Sequence, residues 1–261
     1  MAGQNRHIGG MAAPVSHPAS SAPTFRVPEA SRVYVIGDIH GRADLLARLH
    51  DLITADAEAH PTRRKVVVYL GDYVDRGFES REVIDGLLAR PLQGFEVVRL
   101  KGNHEQVLLD FLDDSTMGFN WLMIGGDATL YSYGVAKTPR AGRLDNLDTV
   151  QGAFRDALPQ SHVDFFRGLE SYHVEGDYLL VHAGVRPGVA LADQEARDLI
   201  WIRDEFLNST ADHGKMVVHG HSIVDRPETR ANRIAIDTGA FATGRLTCLV
   251  LDGTAREFLS T

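Results

Sequence analysis

Cysteine is nearly absent from this chain. The single residue, Cys248, excludes an internal disulfide. Its place in the run Leu246-Thr247-Cys248-Leu249-Val250-Leu251 marks it as a core residue rather than a nucleophile. Apolar runs long enough to cross a bilayer are also missing, and the Ala/Ser/Pro/His-rich opening has no continuous apolar stretch of the secretory kind. No membrane partner and a cytoplasmic location are therefore expected. Positive charge is in deficit, with 27 Lys and Arg against 35 Asp and Glu and a formal charge of −8, so the overall field repels a nucleic acid and no such partner is expected. What is present is a 261-residue chain, 44% hydrophobic, enough for one well-buried core. Histidine is abundant at twelve residues, and five of the twelve sit in clusters beside Asp, Asn or Gly.

Residues 1–29 mix Ala, Ser, Pro, Gly and His without periodicity, and so read as a disordered tail ahead of one catalytic domain over 30–261. Strand-like and helix-like runs then alternate. Val33-Tyr34-Val35-Ile36 precedes Leu45, Leu46, Leu49, Leu52 and Ile53 at helical spacing. Val66 to Leu70 precedes Val83, Ile84, Leu87 and Leu88. Val97 to Leu100 precedes Val107, Leu108, Phe111 and Leu112. This predicts a β-α-β-α-β-α front half in an α/β fold. Strand signals fade between residues 115 and 172, which predicts a mostly helical cap insertion. They return at Tyr178 to Val181, Met216 to Val218, Arg233 to Ile236 and Leu246 to Leu251, read as a second sheet.

Each of the first three strands ends in a tight polar turn: Gly37-Asp38-Ile39-His40-Gly41, Gly71-Asp72-Tyr73-Val74-Asp75-Arg76-Gly77 and Gly102-Asn103-His104-Glu105. Sites in open α/β sheets form outside the carboxyl ends of strands, where glycine lets the backbone turn and leaves room for a ligand. His182-Ala183-Gly184 and His219-Gly220-His221 follow two later strands in the same way. Carboxylate, imidazole and amide oxygen donors without thiolate suit a borderline divalent ion such as manganese, iron or zinc. Six or seven donors exceed the need of one ion. A carboxylate such as Asp72 can bridge two ions about 3.5–4 Å apart, which suits hydrolysis of a phosphate ester. A Gly-Asp pair alone is usually just a turn; five such clusters in order, each after a strand, are not explained by turns. His50, His60, His162, His173 and His213 lie outside the clusters and take no assigned role.

These residues resemble the phosphoprotein phosphatase branch of the calcineurin-like metallophosphoesterases, whose signatures have the form GDxHG, GDxVDRG and GNHE. The similarity continues through His182-Ala183-Gly184, Leu199-Ile200-Trp201-Ile202-Arg203 and Gly220-His221, as in bacterial and phage members. The resemblance implies a two-sheet β-sandwich flanked by helices. It implies that Asp38, His40 and bridging Asp72 hold one metal and that Asp72, Asn103, His182 and His221 hold the other, manganese being favoured over iron and zinc. A metal-bridging hydroxide would attack phosphorus. His219 is left beside the ligands rather than among them. The resemblance further implies that His104 is the general acid, oriented by Asp75, and that Arg76 and Arg203 clamp the phosphate. For Arg203 the competing reading is a surface ion pair with Asp204 or Glu205.

The Ser-Ala-Pro-Asn-Tyr-Cys loop of the eukaryotic enzymes is missing, and Ile236-Asp237-Thr238-Gly239-Ala240 stands at the comparable place. The implied substrate is a phosphoserine or phosphothreonine protein or peptide. The rival is a nucleotide phosphohydrolase like the symmetrical dinucleoside tetraphosphatases, whose second motif resembles GDxVARG and whose third is GNHD. A catalytically silent phosphate-binding module would have lost Asp72, Asn103 or His104, and all three are present.

Overall fold

The computed structural model describes residues 24–62, 64–135 and 146–261. In chain order the elements are β1 (Ser31–Ile36), α1 (Ala43–Ala59), β2 (Arg64–Tyr69), α2 (Ser80–Ala89), β3 (Glu96–Arg99), α3 (Asn103–Asp113), α4 (Gly118–Met123), α5 (Gly126–Ser132), α6 (Leu147–Ala157) and α7 (Gln160–Arg167). There follow β4 (Tyr172–Glu175), β5 (Tyr178–Val181), α8 (Ala196–Trp201), α9 (Asp204–Leu207), β6 (Met216–His219), β7 (Glu228–Thr229), β8 (Arg233–Ala235), α10 (Ala240–Thr243), β9 (Thr247–Asp252) and β10 (Ala255–Ser260).

Among the described residues ten strands form two five-stranded mixed sheets, ordered β10-β9-β1-β2-β3 and β4-β5-β6-β8-β7. β1, β2 and β3 run parallel, as do β5, β6 and β8. Alternation along β1 explains the layering. Val33 and Val35 join Val66, Val68, Tyr178, Leu180, Val218 and Ile234 in the apolar layer between the sheets. Tyr34 and Ile36 point the other way, into a cluster with Leu45, Leu49, Val83 and Leu108 of the helices. A strand segment packed on both faces favours apolar residues at consecutive positions, which is why Val33–Ile36 of β1 and Val66–Tyr69 of β2 read as continuous rather than alternating runs. The outer face of the second sheet is covered by Leu199, Ile200 and Phe206 of α8 and α9.

Three features differ from the sequence reading. The Leu246 to Leu251 run does not join the second sheet: β9 pairs antiparallel with β1 in the first, with Leu249 and Leu251 facing the second sheet and Cys248 and Val250 facing the helices. Hydrophobic pattern alone carries no pairing information, and β9 fits either sheet by that measure. Packing also starts before the expected boundary at residue 30. Val27 is buried, its amide donates to the Gly253 carbonyl, and Phe25 lies against Tyr178; the rest of the expected tail, 1–23, is outside the described residues. The region expected as an insertion is helical through α4 to α7, but Tyr172 opens β4, and the helices extend the α2–α3 layer, burying Trp121, Phe154 and Phe166 in the same core.

A buried ion-pair network ties the sheet to α1. The Arg32 guanidinium donates to Asp56 at 2.8 and 3.0 Å and to Asp252 at 2.8 Å, and the Tyr34 hydroxyl donates to Asp56 at 2.7 Å. Burial alone would raise the Asp56 carboxyl, but the hydrogen bonds from Arg32 and Tyr34 outweigh it and hold the group below its ordinary value. Its stabilisation is thus present above the ordinary carboxylate pKa and fades as pH falls through the lowered one. Asp56→Ala removes two of the three carboxylate hydrogen bonds to the buried Arg32 guanidinium, leaving the one to Asp252, and should cost about 2 kcal/mol by urea unfolding at neutral pH, with the gap from the wild type closing in acid. A variant as stable as the parent at neutral pH would show that the network contributes nothing.

Candidate metal centre

The five clusters expected from the sequence meet at the carboxyl ends of strands from both sheets. Asp38 and His40 follow β1, Asp72 follows β2, Asn103 opens α3 after β3, His182 follows β5 and His221 follows β6. All six are buried. Donor atoms of His40, Asp72 and His104 lie within 4.8 Å of one another, as do those of Asp72, His182 and His221, so Asp72 is common to both trios. Asn103 Oδ1 lies 3.0 Å from His182 Nε2. Asp38 belongs to neither trio; its Oδ2 accepts from the His221 amide at 2.9 Å, and Oδ1 faces the backbone of Gly220.

The backbone shows what this convergence requires. Among the described residues, seven other than glycine have positive φ, and five of these are His40, Asp72, Asp75, Arg76 and His221. Strain of this kind persists only where the surroundings over-determine it, and it collects at functional sites.

Polar bookkeeping tests whether cations fit. His40 Nδ1 and His182 Nδ1 lie 2.9 and 3.0 Å from the carbonyls of Val74 and Leu70, so each ring donates there and turns a lone pair at Nε2 into the centre. His40 Nε2, His221 Nε2 and Asp38 Oδ1 are buried without a hydrogen-bond partner. His182 Nε2 and Asn103 Oδ1 then form two acceptors in contact with no proton between them. A cation between them satisfies both. The carboxylates agree. Burial, with Asp237 and Asp72 nearby, drives the Asp38 carboxyl well above its ordinary value, and burial with Asp72 pushes Asp237 up to about 6. Burial opposes ionisation of Asp72 too, yet the facing rings of His182, His104, His40 and His221 hold it well below the ordinary range. The donor set of carboxylates, imidazoles and one amide, with Cys248 buried elsewhere in the core, fits borderline divalent ions.

His104 is placed differently from the other rings. Its Nδ1 lies 2.7 Å from Asp75 Oδ2, and its Nε2 lies 3.3 Å from Arg76 Nη2. Burial works to lower its pKa, but Asp72 and the bond to Asp75 outweigh burial and hold it above the ordinary value. Arg76 lies over the Phe241 ring, 4.8 Å from its centroid. Arg203 donates to Ser222 Oγ at 3.4 Å and makes no ion pair among the described residues; Glu205 pairs with Arg186 instead, against the surface-pair reading. His219 faces away from the centre, with Arg233 Nη1 3.3 Å from its Nε2 and the Phe206 ring edge-on. β6 ends at His219, and the chain leaves strand geometry at Gly220, so the two-residue spacing does not put His219 and His221 on one face.

Two contributors went unassigned from the sequence. Glu105 stood inside a motif, and its carboxylate accepts from the amides of Asp72, Tyr73, Val74 and Gly102 at 2.9, 2.7, 3.3 and 3.0 Å. Asp237 was visible only as part of a loop differing from the eukaryotic pattern; its position after β8 was the available signal. The five unassigned histidines are occupied locally: His50 with Tyr69, His60 with Asp56, His162 with Tyr133 and Asp85, His173 with Glu175, and His213 near Asn232. Beside the centre a groove of about 820 Å³ is lined by Lys101, Gln106, Met117, Met123, Ile200 and Trp201, and Trp201 is edge-on to His221.

Residues 31–242 match the family model for the calcineurin-like phosphoesterases, and the chain belongs to that family. The family uses a binuclear metal centre. Serine/threonine-protein phosphatase 2 of Escherichia coli K12 is 28% identical over 223 residues, covering 82% of this chain and 90% of that protein. An asymmetrical bis(5'-nucleosyl)-tetraphosphatase of Bacillus thuringiensis is 24% identical over 235 residues, covering 82% and 88%. A crystal structure assigned provisionally as a diadenosine tetraphosphatase superposes with a TM-score of 0.56 at 19% identity, covering 88% of this chain and 94% of that one, which speaks to the fold alone. No described helix is long and apolar enough to cross a membrane.

The purified protein should carry about two transition-metal ions per chain by elemental analysis. Asp72→Asn, which weakens the one carboxylate common to both trios, should bring that below one. Full metal content in the variant would remove Asp72 from the ligand set.

Proposed function

We propose that this phosphoesterase hydrolyses phosphoserine and phosphothreonine monoesters of proteins or peptides. The observation that carries the reading is the buried pair of His104 and Asp75, 2.7 Å apart, beside the Arg76 guanidinium. A serine or threonine alkoxide is a strong base and leaves poorly unless it is protonated as the ester bond breaks. An imidazole whose second nitrogen is held by a carboxylate meets that need near neutral pH.

In this reading Asp38, His40 and Asp72 hold one ion, and Asp72, Asn103, His182 and His221 hold the other. Manganese is the favoured metal, with iron and zinc compatible. Bound there, the ions would supply positive charge for the phosphoryl oxygens and acidify a water for attack on phosphorus. Arg76 and Arg203 bind the remaining phosphate oxygens, for which a planar guanidinium is bidentate and permanently charged. Arg76 and a protonated His104 repel each other at 3.3 Å, and a phosphate dianion between them turns repulsion into two attractions. Substrate binding thereby favours the protonated acid. Asp75 keeps Nδ1–H, and Nε2–H passes to the leaving oxygen.

The relatives named as tetraphosphatases support a second reading, cleavage of a dinucleoside polyphosphate. A polyphosphate leaving group is a weak base that departs without a proton, so an oriented acid has less to do there. Initial rates on a phosphoserine peptide and on diadenosine tetraphosphate at equal enzyme separate the two; a higher kcat/KM for the nucleotide overturns the first. His104→Asn should leave metal content unchanged and lower kcat on the peptide by about 100-fold or more. Undiminished turnover by that variant would mean that another group delivers the proton.

A further inference from the structure

We infer that Trp121 and Thr129, both from the helices inserted after α3, are positioning residues for the general acid: they fix the Asp75 carboxylate that aims His104. The inference rests on His104 acting as that acid. Trp121 Nε1 lies 3.1 and 3.0 Å from the two Asp75 oxygens, and Thr129 Oγ1 donates to Oδ1 at 2.6 Å. His104 takes Oδ2. The carboxylate therefore cannot rotate about its Cβ–Cγ bond without breaking bonds to all three partners.

Thr129 does more than donate. Its Oγ1 accepts from the Asp75 amide at 2.9 Å and lies 2.9 Å from Ser80 Oγ, which also accepts from that amide. One hydroxyl thus grips side chain and backbone of the same residue. The Arg76 amide donates to the Gly125 carbonyl, between α4 and α5. Asp75 and Arg76 are consecutive non-glycine residues in the left-handed region, at φ 72° and 66°, a conformation the chain does not keep unaided. Trp121 and Thr129 are fully buried, and Trp121 is wedged against Phe111 and Phe154, ring centroids 5.0 and 5.3 Å away. Its indole N–H is consequently held by packing and is aimed without conformational freedom. The region that the sequence predicts as a helical cap insertion thereby reaches the reacting proton through two hydrogen bonds in series, to Asp75 and from Asp75 to His104.

A residue that aims an acid affects substrates according to how much their leaving group needs a proton. The test uses the full chain loaded with manganese, on phenyl phosphate, on its nitro-substituted and more acidic counterpart p-nitrophenyl phosphate, and on a phosphoserine peptide. Trp121→Phe retains the aromatic packing and deletes the donor; Thr129→Val retains the shape and deletes the hydroxyl; Thr129→Ser restores it. Expected for the first two is a loss of about 10-fold in kcat on phenyl phosphate and on the peptide, with KM and metal content unchanged and p-nitrophenyl phosphate within about 2-fold, and recovery in Thr129→Ser. Equal loss on both aryl esters, or no loss on either, overturns the inference. Because Trp121→Phe leaves the threonine network intact, it reads the hydrogen bond even if Thr129→Val lowers the unfolding midpoint. A wild-type preference for diadenosine tetraphosphate over the peptide would defeat the proposed substrate alone, since the aryl pair reads the acid independently.

Discussion

Asp38, Asp72 and Asp237 are buried close enough to shift one another's ionisation, among rings whose lone pairs also point inward, and the architecture around them follows from holding that arrangement away from water. Unpaired charge in a protein interior costs several kcal/mol per ion, so carboxylates gathered this way either take up protons or are balanced by cations. The need acts on the backbone first. A Cβ at Gly220 would run into Asp38 Oδ1, and one at Gly102 into Asp72 Oδ1 and the Asp72 amide. These two glycines are required for closeness rather than flexibility, because neither has a positive φ.

Holding strained turns in place takes a rigid frame, and Glu105 joins the frame to the turns. One carboxylate collects amides from the turn after β2 and from the residue before α3, so the ends of two parallel strands are tied by one buried group. Asp72 closes the link from the other side, its Oδ1 accepting from the His104 amide at 3.2 Å. Displacing Asp72 therefore displaces the α3 N-terminus that carries both Asn103 and His104. The geometry of the donor cluster and that of the His104 ring are one mechanical unit.

Much of this was legible because the informative residues are local. Strand ends followed by Gly-Asp, Gly-Asn-His or His-Ala-Gly are contiguous in sequence, and a parallel sheet brings contiguous signals to one edge. What required distance information was not legible. β9 has the same two-sided apolar pattern as β5, and only pairing with β1 assigns it to the first sheet. His219 and His221 differ by where β6 stops, a boundary that alternation does not mark. Val27 follows Phe25 in a short stretch with no strand or helix periodicity, and its amide partner, the Gly253 carbonyl, is 226 positions away. Trp121 and Thr129 gave no chemical signal at all, since neither type is diagnostic and their partner lies about fifty positions upstream.

That last pair bears on how one centre can serve different esters. Relatives named for protein phosphatase and for tetraphosphatase activity align over similar shares of this chain, so overall likeness does not separate the two activities. The leaving group separates them chemically, since an alkoxide needs a proton and a polyphosphate does not. The parts that answer to that difference are then the acid and whatever aims it. On the proposal above the aiming comes from α4 and α5, and α4 also lines the groove beside the centre. In that reading one stretch of helices both borders the groove and aims the acid. Under the proposal, a change in that stretch would alter proton delivery to the leaving alcohol, while the candidate ligands on the strand ends stay where the sheets put them.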